Sequence, residues 1–365
     1  MKQPIKFSRR HFVQLAGSAS LLSAAGSRFG WATTRTGGAR FAYVGTEQAI
    51  HLYSISEDGH FVLRQTMATA RPVAMTIRGG HLYAANGVSE YGNLPRGSVE
   101  SYTIDAMTGQ LALKNRVPLS LSATSPTDLA VAPDGRSMVV AVHGGGAYNL
   151  LLLEADGSLG RVAGILKELG SGPHPLQNAA HPSAVKFDHE GRVFTADQGS
   201  DKLSVFALHN GELVVSARCE VPAGSGPGCL VLHPAGRRVY VGHALDGAVS
   251  SYSYDAAGIL EHKQTLGTSV MGAVAALAIH PSGEMLFSSH RDGLLAWKIQ
   301  ADGLEPLPVL EGVHATKLHV SADGGTLLAL SSDSVLSLKI GAATRLLASP
   351  VKVASLSKPL SLATL

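Results

Sequence analysis

The sequence is poor in cysteine, in aromatic side chains and in charge of either sign. Of its 365 residues, 2 are cysteine, 5% are aromatic and 16% are charged, and the formal net charge is only +3. It has no run of Lys and Arg interleaved with aromatic residues, which excludes the usual surface for binding nucleic acid. Long stretches of helical periodicity are missing beyond the N-terminal segment, and no later apolar stretch is long enough to span a bilayer.

Glycine and short apolar runs, by contrast, are abundant. The chain contains 41 glycines, and its runs of Val, Leu and Ala are separated by Asp-Gly pairs and prolines. This pattern is typical of short strands joined by tight turns. A hydrophobic fraction of 45% is enough to form a large core. The composition therefore predicts an all-β protein, as one large domain or two ordinary ones.

The two cysteines, Cys219 and Cys229, are expected to be free thiols. They flank a loop rich in Pro and Gly, and in the architecture developed below they fall on an outer and an inner strand. A disulfide requires the two Cα atoms to lie within about 7 Å of each other. We therefore predict no bridge between them, even in an oxidising compartment.

The N-terminal segment has the features of an export signal. The stretch SRRHFVQ from Ser8 resembles the twin-arginine motif, and a weakly apolar run ending in small residues follows it. The pattern predicts a signal peptide over residues 1–32 and a linker over residues 33–39. The folded part would then be residues 40–365, in a periplasmic or secreted location.

One structural unit recurs seven times along the chain. Each copy has a short opening, an apolar strand, usually a Gly turn, and a second strand. The openings begin at Arg71, Ser125, His181, Gly226, Gly272, His314 and Lys358. A spacing of roughly 40 to 56 residues is that of the blades of a β-propeller.

The two ends of the repeat pattern are incomplete in complementary ways. The last copy, KPLSLATL from Lys358, has no second strand after it, whereas FAYVGT from Phe41 has no first strand before it. Pairing the two segments completes one blade and closes the ring, so that exposed sheet edges are largely avoided. We therefore predict a seven-bladed β-propeller whose N- and C-terminal strands are hydrogen-bonded side by side.

Blade geometry predicts which residues share one end of the central channel. The first strand is innermost, so the openings and the residues just after the second strands lie at the same face. The residues after the second strands include Asn86, His143, Asp197, His243 and His290. Arg71 and His181 lie in openings at this face, whereas His233 and His280 precede turns at the other end and are predicted to be surface residues.

Three stretches of the chain carry a family resemblance. They are AVHGGG from Ala141, ADQGSDKLSVF from Ala196 and GSGPGCLVLHPAGRRVYV from Gly224. Together with the repeat, they resemble the seven-bladed lactonase family, which includes bacterial 6-phosphogluconolactonases and relatives of muconate cycloisomerase. The resemblance extends over residues 40–365 and implies the hydrolysis of a lactone.

The sequence departs from the family where the resemblance would place catalytic groups. The positions of the family's Arg, His and Glu are occupied by Gly228, Cys229 and Ala244. Lactone hydrolysis needs a base for water and a cation or donor for the oxyanion, so one group of each kind is missing. The family positions that survive are His181, Asp197, Asp201 and Arg291. Asp201 is expected to fix a blade turn through backbone hydrogen bonds.

Histidine partly compensates for these losses. Imidazoles follow three second strands where the family more often has Asn or another residue, at His143, His243 and His290. Beside Asp197 such a cluster has three interpretations: general-base catalysis, a site for a divalent metal such as zinc, or hydrogen bonds to a neighbouring blade's backbone. No sequence-local ligand spacing supports the metal, so no cofactor is assigned.

The sequence thus predicts an exported propeller that hydrolyses a small, unphosphorylated sugar lactone or related lactone at one end of its channel. The predicted base is His181 or His243, oriented by Asp197, with Arg291 or backbone amides at the oxyanion. The predicted substrate-binding residues are Asn86, His143, His290, Arg71 and Cys229. As a further alternative, the Cys229 thiol is a nucleophile. The competing function is a propeller without catalysis that binds a ligand or partner protein at the same face.

Overall fold

The computed structural model describes residues 40–267, 272–301, 303–341 and 346–365. Within these ranges the chain forms 29 β-strands, arranged in seven separate antiparallel sheets. No helix in this part of the chain is long and apolar enough to cross a membrane. The predicted signal peptide and linker, residues 1–39, lie outside the described residues and stay predictions.

Each sheet is one blade, and the blades are numbered along the chain from the one that contains the first strand. Blade 1 consists of β29 (Ser361–Thr364), β1 (Phe41–Gly45), β2 (Ala49–Ile55) and β3 (Phe61–Ala68). Blade 2 consists of β4 (Pro72–Arg78), β5 (His81–Asn86), β6 (Ser98–Ile104) and β7 (Leu111–Pro118). Blade 3 consists of β8 (Thr124–Val131), β9 (Ser137–Gly144), β10 (Ala147–Leu153) and β11 (Leu159–Lys167).

The remaining four blades follow the same order, from the channel outwards. Blade 4 consists of β12 (Pro182–Phe187), β13 (Val193–Asp197), β14 (Lys202–His209) and β15 (Glu212–Glu220). Blade 5 consists of β16 (Pro227–Leu232), β17 (Arg238–His243), β18 (Val249–Tyr254) and β19 (Leu260–Leu266). Blade 6 consists of β20 (Val274–Ile279), β21 (Met285–His290), β22 (Gly293–Ile299), β23 (Leu304–Pro306) and β24 (Leu310–Glu311). Blade 7 consists of β25 (Lys317–Val320), β26 (Thr326–Leu330), β27 (Ser334–Lys339) and β28 (Val351–Ser355).

The ring closes through the two chain ends, as predicted. β29 pairs antiparallel with β1, with Ser361 opposite Gly45 and Thr364 opposite Ala42. β29 also contacts β25 and β4, the innermost strands of the blades on either side. The innermost strands therefore form a continuous circle around one channel, and the predicted seven-bladed propeller is confirmed.

Burial falls from the second strand of a blade to its outermost strand. All five residues of β13 are buried, whereas β15 alternates between exposed and half-buried residues. The second strand lies between neighbouring sheets that cover both of its faces, while the fourth strand forms the outer rim. The core is therefore distributed between adjacent blades, where large side chains such as Phe194 and Tyr254 meet with ring centroids 4.6 Å apart.

Hydroxyl side chains join adjacent blades around the channel. Thr127 Oγ1 of blade 3 donates to Pro182 O of blade 4 at 2.9 Å, and Ser183 Oγ of blade 4 donates to Pro227 O of blade 5 at 2.7 Å. Both hydroxyl residues lie in a β-bulge near the start of the innermost strand. A bulge redirects a side chain locally, which here places the hydroxyl at the boundary between two blades.

The prediction that His233 and His280 are surface residues was wrong for His280. His280 is only 5% exposed, and its Nε2 lies 3.1 Å from Gly324 O in the turn of blade 7. His233 is half-buried, with Nε2 at 3.0 Å from Gly283 O in the turn of blade 6. The repeat pattern locates these residues at strand ends but does not show how closely the turn of the next blade packs on them.

The prediction for the two cysteines is confirmed. Both thiols are free, with Cys219 on the outermost strand of blade 4 and Cys229 on the innermost strand of blade 5.

Candidate active site at the channel mouth

The channel has two connected levels, both lined by the innermost strands. The outer level, here called the mouth, has a volume of about 390 Å³. The inner level has a volume of about 200 Å³. Val73, Ser183, Gly228 and Lys317 line both levels, so the mouth opens directly into the inner level. Polar groups at the mouth come from Arg71, Ser125, Thr127, His143, Ser183, Gln198 and Lys317.

His143 lines the mouth because it lies one position further along its second strand than Asn86, Asp197 and His243 lie along theirs. The proline that begins the innermost strand pairs in three blades with the last residue of the second strand, Asn86, Asp197 or His243. In blade 3, Pro126 pairs with Val142 instead, and β9 continues to Gly144. His143 therefore corresponds to Gly87 and Gln198, which also line the mouth. A shift of one residue changes the direction of a side chain on a strand.

The other residues assigned to the ends of second strands lie inside their blades. Asn86, Asp197, His243 and His290 are at most 3% exposed. His243 Nε2 lies 3.0 Å from Ser250 Oγ, and its Nδ1 lies 3.2 Å from the Asp246 carboxylate. These two contacts leave neither ring nitrogen of His243 open to a substrate, which argues against the predicted base.

The side-chain nitrogens of Asn86 and His290 are also occupied by hydrogen bonds within the protein, which argues against substrate contacts at either residue. Asn86 Nδ2 donates to Thr69 Oγ1 and to Ala70 O at 2.8 Å. His290 Nε2 lies 2.8 Å from Ser288 Oγ, and its Nδ1 lies 3.2 Å from Gly272 O. For His290 this matches the hydrogen-bonding interpretation of the imidazoles, although the partners are Ser288 on its own strand and Gly272 in the loop that leads into blade 6.

Asp197 fixes backbone and not an imidazole ring. Its Oδ1 accepts the N–H groups of His181, Gly199 and Ser200 at 2.8, 2.9 and 3.0 Å. The ring of His181 instead has Nε2 at 3.1 Å from Asn178 Oδ1 and Nδ1 near a backbone carbonyl at 3.3 Å. Asp197 therefore does not orient the His181 ring, as predicted, but holds the His181 backbone against the turn that follows β13.

Asp201 has the structural role that the sequence predicted. Its carboxylate accepts the N–H groups of Gly224 and Gly226 at 2.7 and 2.8 Å and the side-chain amide of Gln177 at 2.7 Å. These bonds hold the GSGPG loop that leads into β16, beside the mouth.

His143 and His181 form a stacked pair. Their ring centroids are 4.0 Å apart and their planes differ by 5°. Burial lowers the pKa of His143, the neighbouring His181 lowers it further, and Asp197 opposes both effects in part. The side chain of His143 makes no hydrogen bond to any described residue. A neutral imidazole with an unengaged nitrogen on a cavity wall is what general-base catalysis requires.

Two cations line the mouth, and their surroundings differ. Arg71 pairs with Glu47 at 3.2 Å and is about half exposed. Lys317 is exposed to the channel and forms no ion pair with any described residue. Arg291, the predicted oxyanion partner, is not among the residues that line the mouth; its side chain is 77% exposed and pairs with Asp292. The cation available to a ligand is therefore Lys317.

The inner level contains a charged pair and a thiol. Lys186 Nζ lies 2.6 Å from Asp128 Oδ2 across the boundary of blades 3 and 4. Burial raises the pKa of the Cys229 thiol to about 12, so it stays protonated near neutral pH and is a poor nucleophile. Sequence reasoning missed Asp128, Lys186 and Lys317; the available signal was a charged residue inside an otherwise apolar first strand.

Two of the three replaced family positions, Gly228 and Ala244, adjoin each other, and Gly228 lines the mouth. A Cβ placed on Gly228 would lie 2.8 Å from the Cβ of Ala244. The resemblance assigns an Arg and a Glu to these two positions, so this side of the mouth has lost both charges. Among the described residues, no three His, Cys, Asp or Glu side chains converge to hold a metal ion, so the metal interpretation of the imidazole cluster has no ligand set there.

Comparison with known proteins establishes the family. The sequence model of the family described as lactonase, 7-bladed beta-propeller, matches residues 30–362. The chain belongs to this lactonase family. It is 30% identical over 271 residues to a 6-phosphogluconolactonase of Pectobacterium carotovorum, covering 70% of this chain and 75% of that protein. The predicted family and the predicted class of enzyme, a lactone hydrolase, are thereby confirmed.

Solved structures share the fold along the whole propeller. A putative 6-phosphogluconolactonase from Bacteroides fragilis superposes on this lactonase-family chain with a TM-score of 0.82 at 22% identity, covering 92% of this chain and 99% of the other. A periplasmic gluconolactonase of Pseudomonas aeruginosa gives a TM-score of 0.81 at 22% identity, covering 89% and 98%. At this identity the likeness establishes the architecture alone.

Proposed function

We propose that the protein hydrolyses a small lactone at the channel mouth, with His143 as the general base. One observation carries the proposal: the neutral ring of His143 has no hydrogen-bond partner among the described residues, on a cavity wall that it shares with the unpaired cation Lys317. Membership of the lactonase family supports the reaction class. The proposed base is therefore His143, whose ring stacks on His181, and not His181 itself.

In the proposed reaction a water molecule attacks the lactone carbonyl as His143 takes one of its protons. The Lys317 ammonium stabilises the negative charge that develops on the carbonyl oxygen. When the tetrahedral intermediate collapses, the ring C–O bond breaks and the leaving oxygen receives the proton from His143. Water is the only co-reactant, and the product is an open-chain hydroxy acid.

A sugar lactone without a phosphate group is the proposed substrate. The names of relatives as gluconolactonases and 6-phosphogluconolactonases support a sugar lactone. A phosphate group normally calls for Arg clamps. Here the position of the family Arg is Gly228 and the Arg71 guanidinium is engaged by Glu47, which leaves Lys317 as a single point charge.

Export through the twin-arginine pathway is part of the same proposal and rests on the sequence SRRHFVQ from Ser8. Expression of the full chain in a bacterial host should place the protein in the periplasm. Replacing Arg9 and Arg10 with Lys should retain it in the cytoplasm; an unchanged distribution would contradict the proposal.

The test of the activity is a hydrolysis screen with the chain from residue 33 onwards. Sugar and aliphatic lactones, with and without a phosphate group, are supplied in the presence and absence of a chelator. Chelator-independent hydrolysis of an unphosphorylated lactone is expected. Loss of hydrolysis only after chelation would assign the imidazoles to a metal, and preference for a phosphorylated lactone would overturn the proposed substrate.

A second function, binding without hydrolysis, is favoured by the pair Gly228 and Ala244, where two charges of the family have become small side chains. Binding of a lactone with no turnover in the screen would select this function.

A further inference from the structure

The ion pair in the inner level of the channel is formed by Asp128 of β8 and Lys186 of β12. Lys186 Nζ lies 2.6 Å from Asp128 Oδ2, and both side chains line the inner level. The Asp128 side chain is 20% exposed and that of Lys186 is 38% exposed. Because the inner level opens into the mouth, the pair lies within reach of a ligand that enters the channel.

Both members of the pair depart from the repeat. Asp128 is the first residue after the β-bulge in its innermost strand, and Lys186 is the third residue after the bulge in the next innermost strand. In the other blades with this bulge, the first position has Ala74, Ala184, Cys229 and Ala276. The third position has Thr76, Ala130, Val231 and Ala278. A small or apolar position has therefore gained a charge twice, in two adjacent blades and with opposite signs.

The repeat also shows that the boundary between two blades does not need an ion pair. The two equivalent positions are occupied by Ala74 and Ala130 at the boundary of blades 2 and 3, and by Ala184 and Val231 at the boundary of blades 4 and 5. An ion pair withdrawn from bulk water is often no more stabilising than apolar side chains of similar volume. Assembly of the ring therefore does not account for the pair, and its position in the channel points to ligand binding.

The pair retains capacity for further hydrogen bonds. Asp128 Oδ1 accepts the N–H of Leu129 at 3.0 Å. The other oxygen, Oδ2, accepts the N–H of Val185 at 3.0 Å and the Lys186 ammonium. A carboxylate oxygen can accept two hydrogen bonds and an ammonium can donate three. Among the described residues, Oδ1 thus has an acceptor site left and Lys186 has donors left, which matches a hydroxyl group because a hydroxyl both donates and accepts.

The residues that line the two levels have a fixed order along the channel. His143 lines the mouth, Lys317 lines both levels, and the ion pair lines the inner level. In the proposed reaction the attacking water lies at His143 and the carbonyl oxygen of the lactone lies at Lys317. The part of the lactone that extends inward from Lys317 therefore meets Asp128 and Lys186.

We propose that Asp128 and Lys186 bind hydroxyl groups of the sugar lactone and select it over lactones without hydroxyl groups. This inference rests on the proposed function and assigns the part of the substrate that lies inside the channel. Asp128 accepts a hydrogen bond from a hydroxyl group, and Lys186 donates one to the same hydroxyl or to its neighbour. Hydrogen bonds to charged groups are stronger than those between neutral groups. A lactone without hydroxyl groups displaces water from the pair and leaves its hydrogen bonds unmade.

The test compares glucono-δ-lactone with δ-valerolactone, which has the same ring without hydroxyl groups. The variant is Asp128→Ala combined with Lys186→Ala, which gives this boundary the two alanines found between blades 2 and 3. The ratio of kcat/KM for glucono-δ-lactone to that for δ-valerolactone should fall about 10- to 100-fold in this variant. The decrease should appear in KM, because the same hydrogen bonds are made in the ground state and in the transition state.

Lys114→Ala combined with Asp156→Ala is the matched control. This ion pair joins blades 2 and 3 at 3.1 Å, and Lys114 is on an outermost strand. Its removal should leave the ratio unchanged. Thermal unfolding shows that each double variant is folded. Asp128→Asn, which keeps an oxygen for the N–H of Val185, is a second variant in which the ratio should also fall.

Calorimetric binding of the corresponding lactams, which are not hydrolysed, separates this inference from the proposed function. Glucono-δ-lactam should bind the unaltered chain more tightly than δ-valerolactam does, and the preference should be lost in the double alanine variant at the ion pair. That result without turnover of any lactone would overturn the proposed hydrolysis and support the inference. Turnover with an unchanged ratio in the variant would do the reverse. Equal binding of the two lactams by the unaltered chain, or an equal loss for both in the variant, would also overturn the inference.

Discussion

His143 and His243 are the same residue type near the ends of second strands in two blades, yet their surroundings are opposite. His143 faces the mouth with no hydrogen-bond partner among the described residues. His243 is completely buried, and both of its ring nitrogens are engaged. The difference arises from the extension of β9 past Val142. One residue of register therefore separates a candidate base from a structural side chain.

The comparison predicts that His143→Ala removes activity while leaving the fold intact. Loss of a general base should lower kcat about 10²- to 10⁴-fold, with Tm close to that of the unaltered chain. Steady-state hydrolysis of the best lactone from the screen measures the effect. His209→Ala, at an exposed position at the end of β14, is the matched control and should leave kcat unchanged. Full activity of His143→Ala would remove the proposed base.

Lys317→Met tests the proposed cation that stabilises the oxyanion at the mouth. Removing the unpaired ammonium while keeping the length of the side chain should lower kcat/KM about 10²-fold, because the developing oxyanion loses its cation. Lys298→Met, at an exposed position on β22, serves as the control for loss of one positive charge. Equal effects of the two variants would show that net charge, and not position, matters.

His243→Ala should show the opposite behaviour to His143→Ala. Loss of the buried ring with its two polar contacts should reduce the free energy of unfolding by about 2 to 3 kcal/mol. The kcat of the protein that remains folded should stay near the unaltered value. Denaturant unfolding and active-site-normalised kinetics separate the two quantities. A large loss of kcat without loss of stability would return the base to His243.

The smallest expected effect is a shift in the pH profile. Burial and His181 lower the pKa of His143 from its usual 6.5. Because the neutral ring is the base, kcat/KM should be constant above this pKa and fall as pH drops through it, with a midpoint below 6.5. In His181→Asn the neighbouring imidazole no longer opposes protonation, so the midpoint should move to higher pH. An unchanged midpoint would show that the group that titrates in the pH profile is not influenced by His181.

Repetition explains why the fold was predictable and part of the site was not. Apolar strands and Gly turns recur at blade spacing, and the unpaired strands at Phe41 and Lys358 indicate closure without any knowledge of contacts. The register in blade 3 was not predictable, because AVHGGG does not show whether the second strand ends at Val142 or continues. Lys317 was missed because a first strand was treated as apolar, although its channel-facing side admits a charge.

The pairing of β29 with β1 also means that the order of the blades along the chain is not needed to build the ring. Because Phe41 and Thr364 lie in neighbouring strands, a short linker between the ends and a new opening in an exposed turn of another blade would give a circular permutant with the same set of strand pairs.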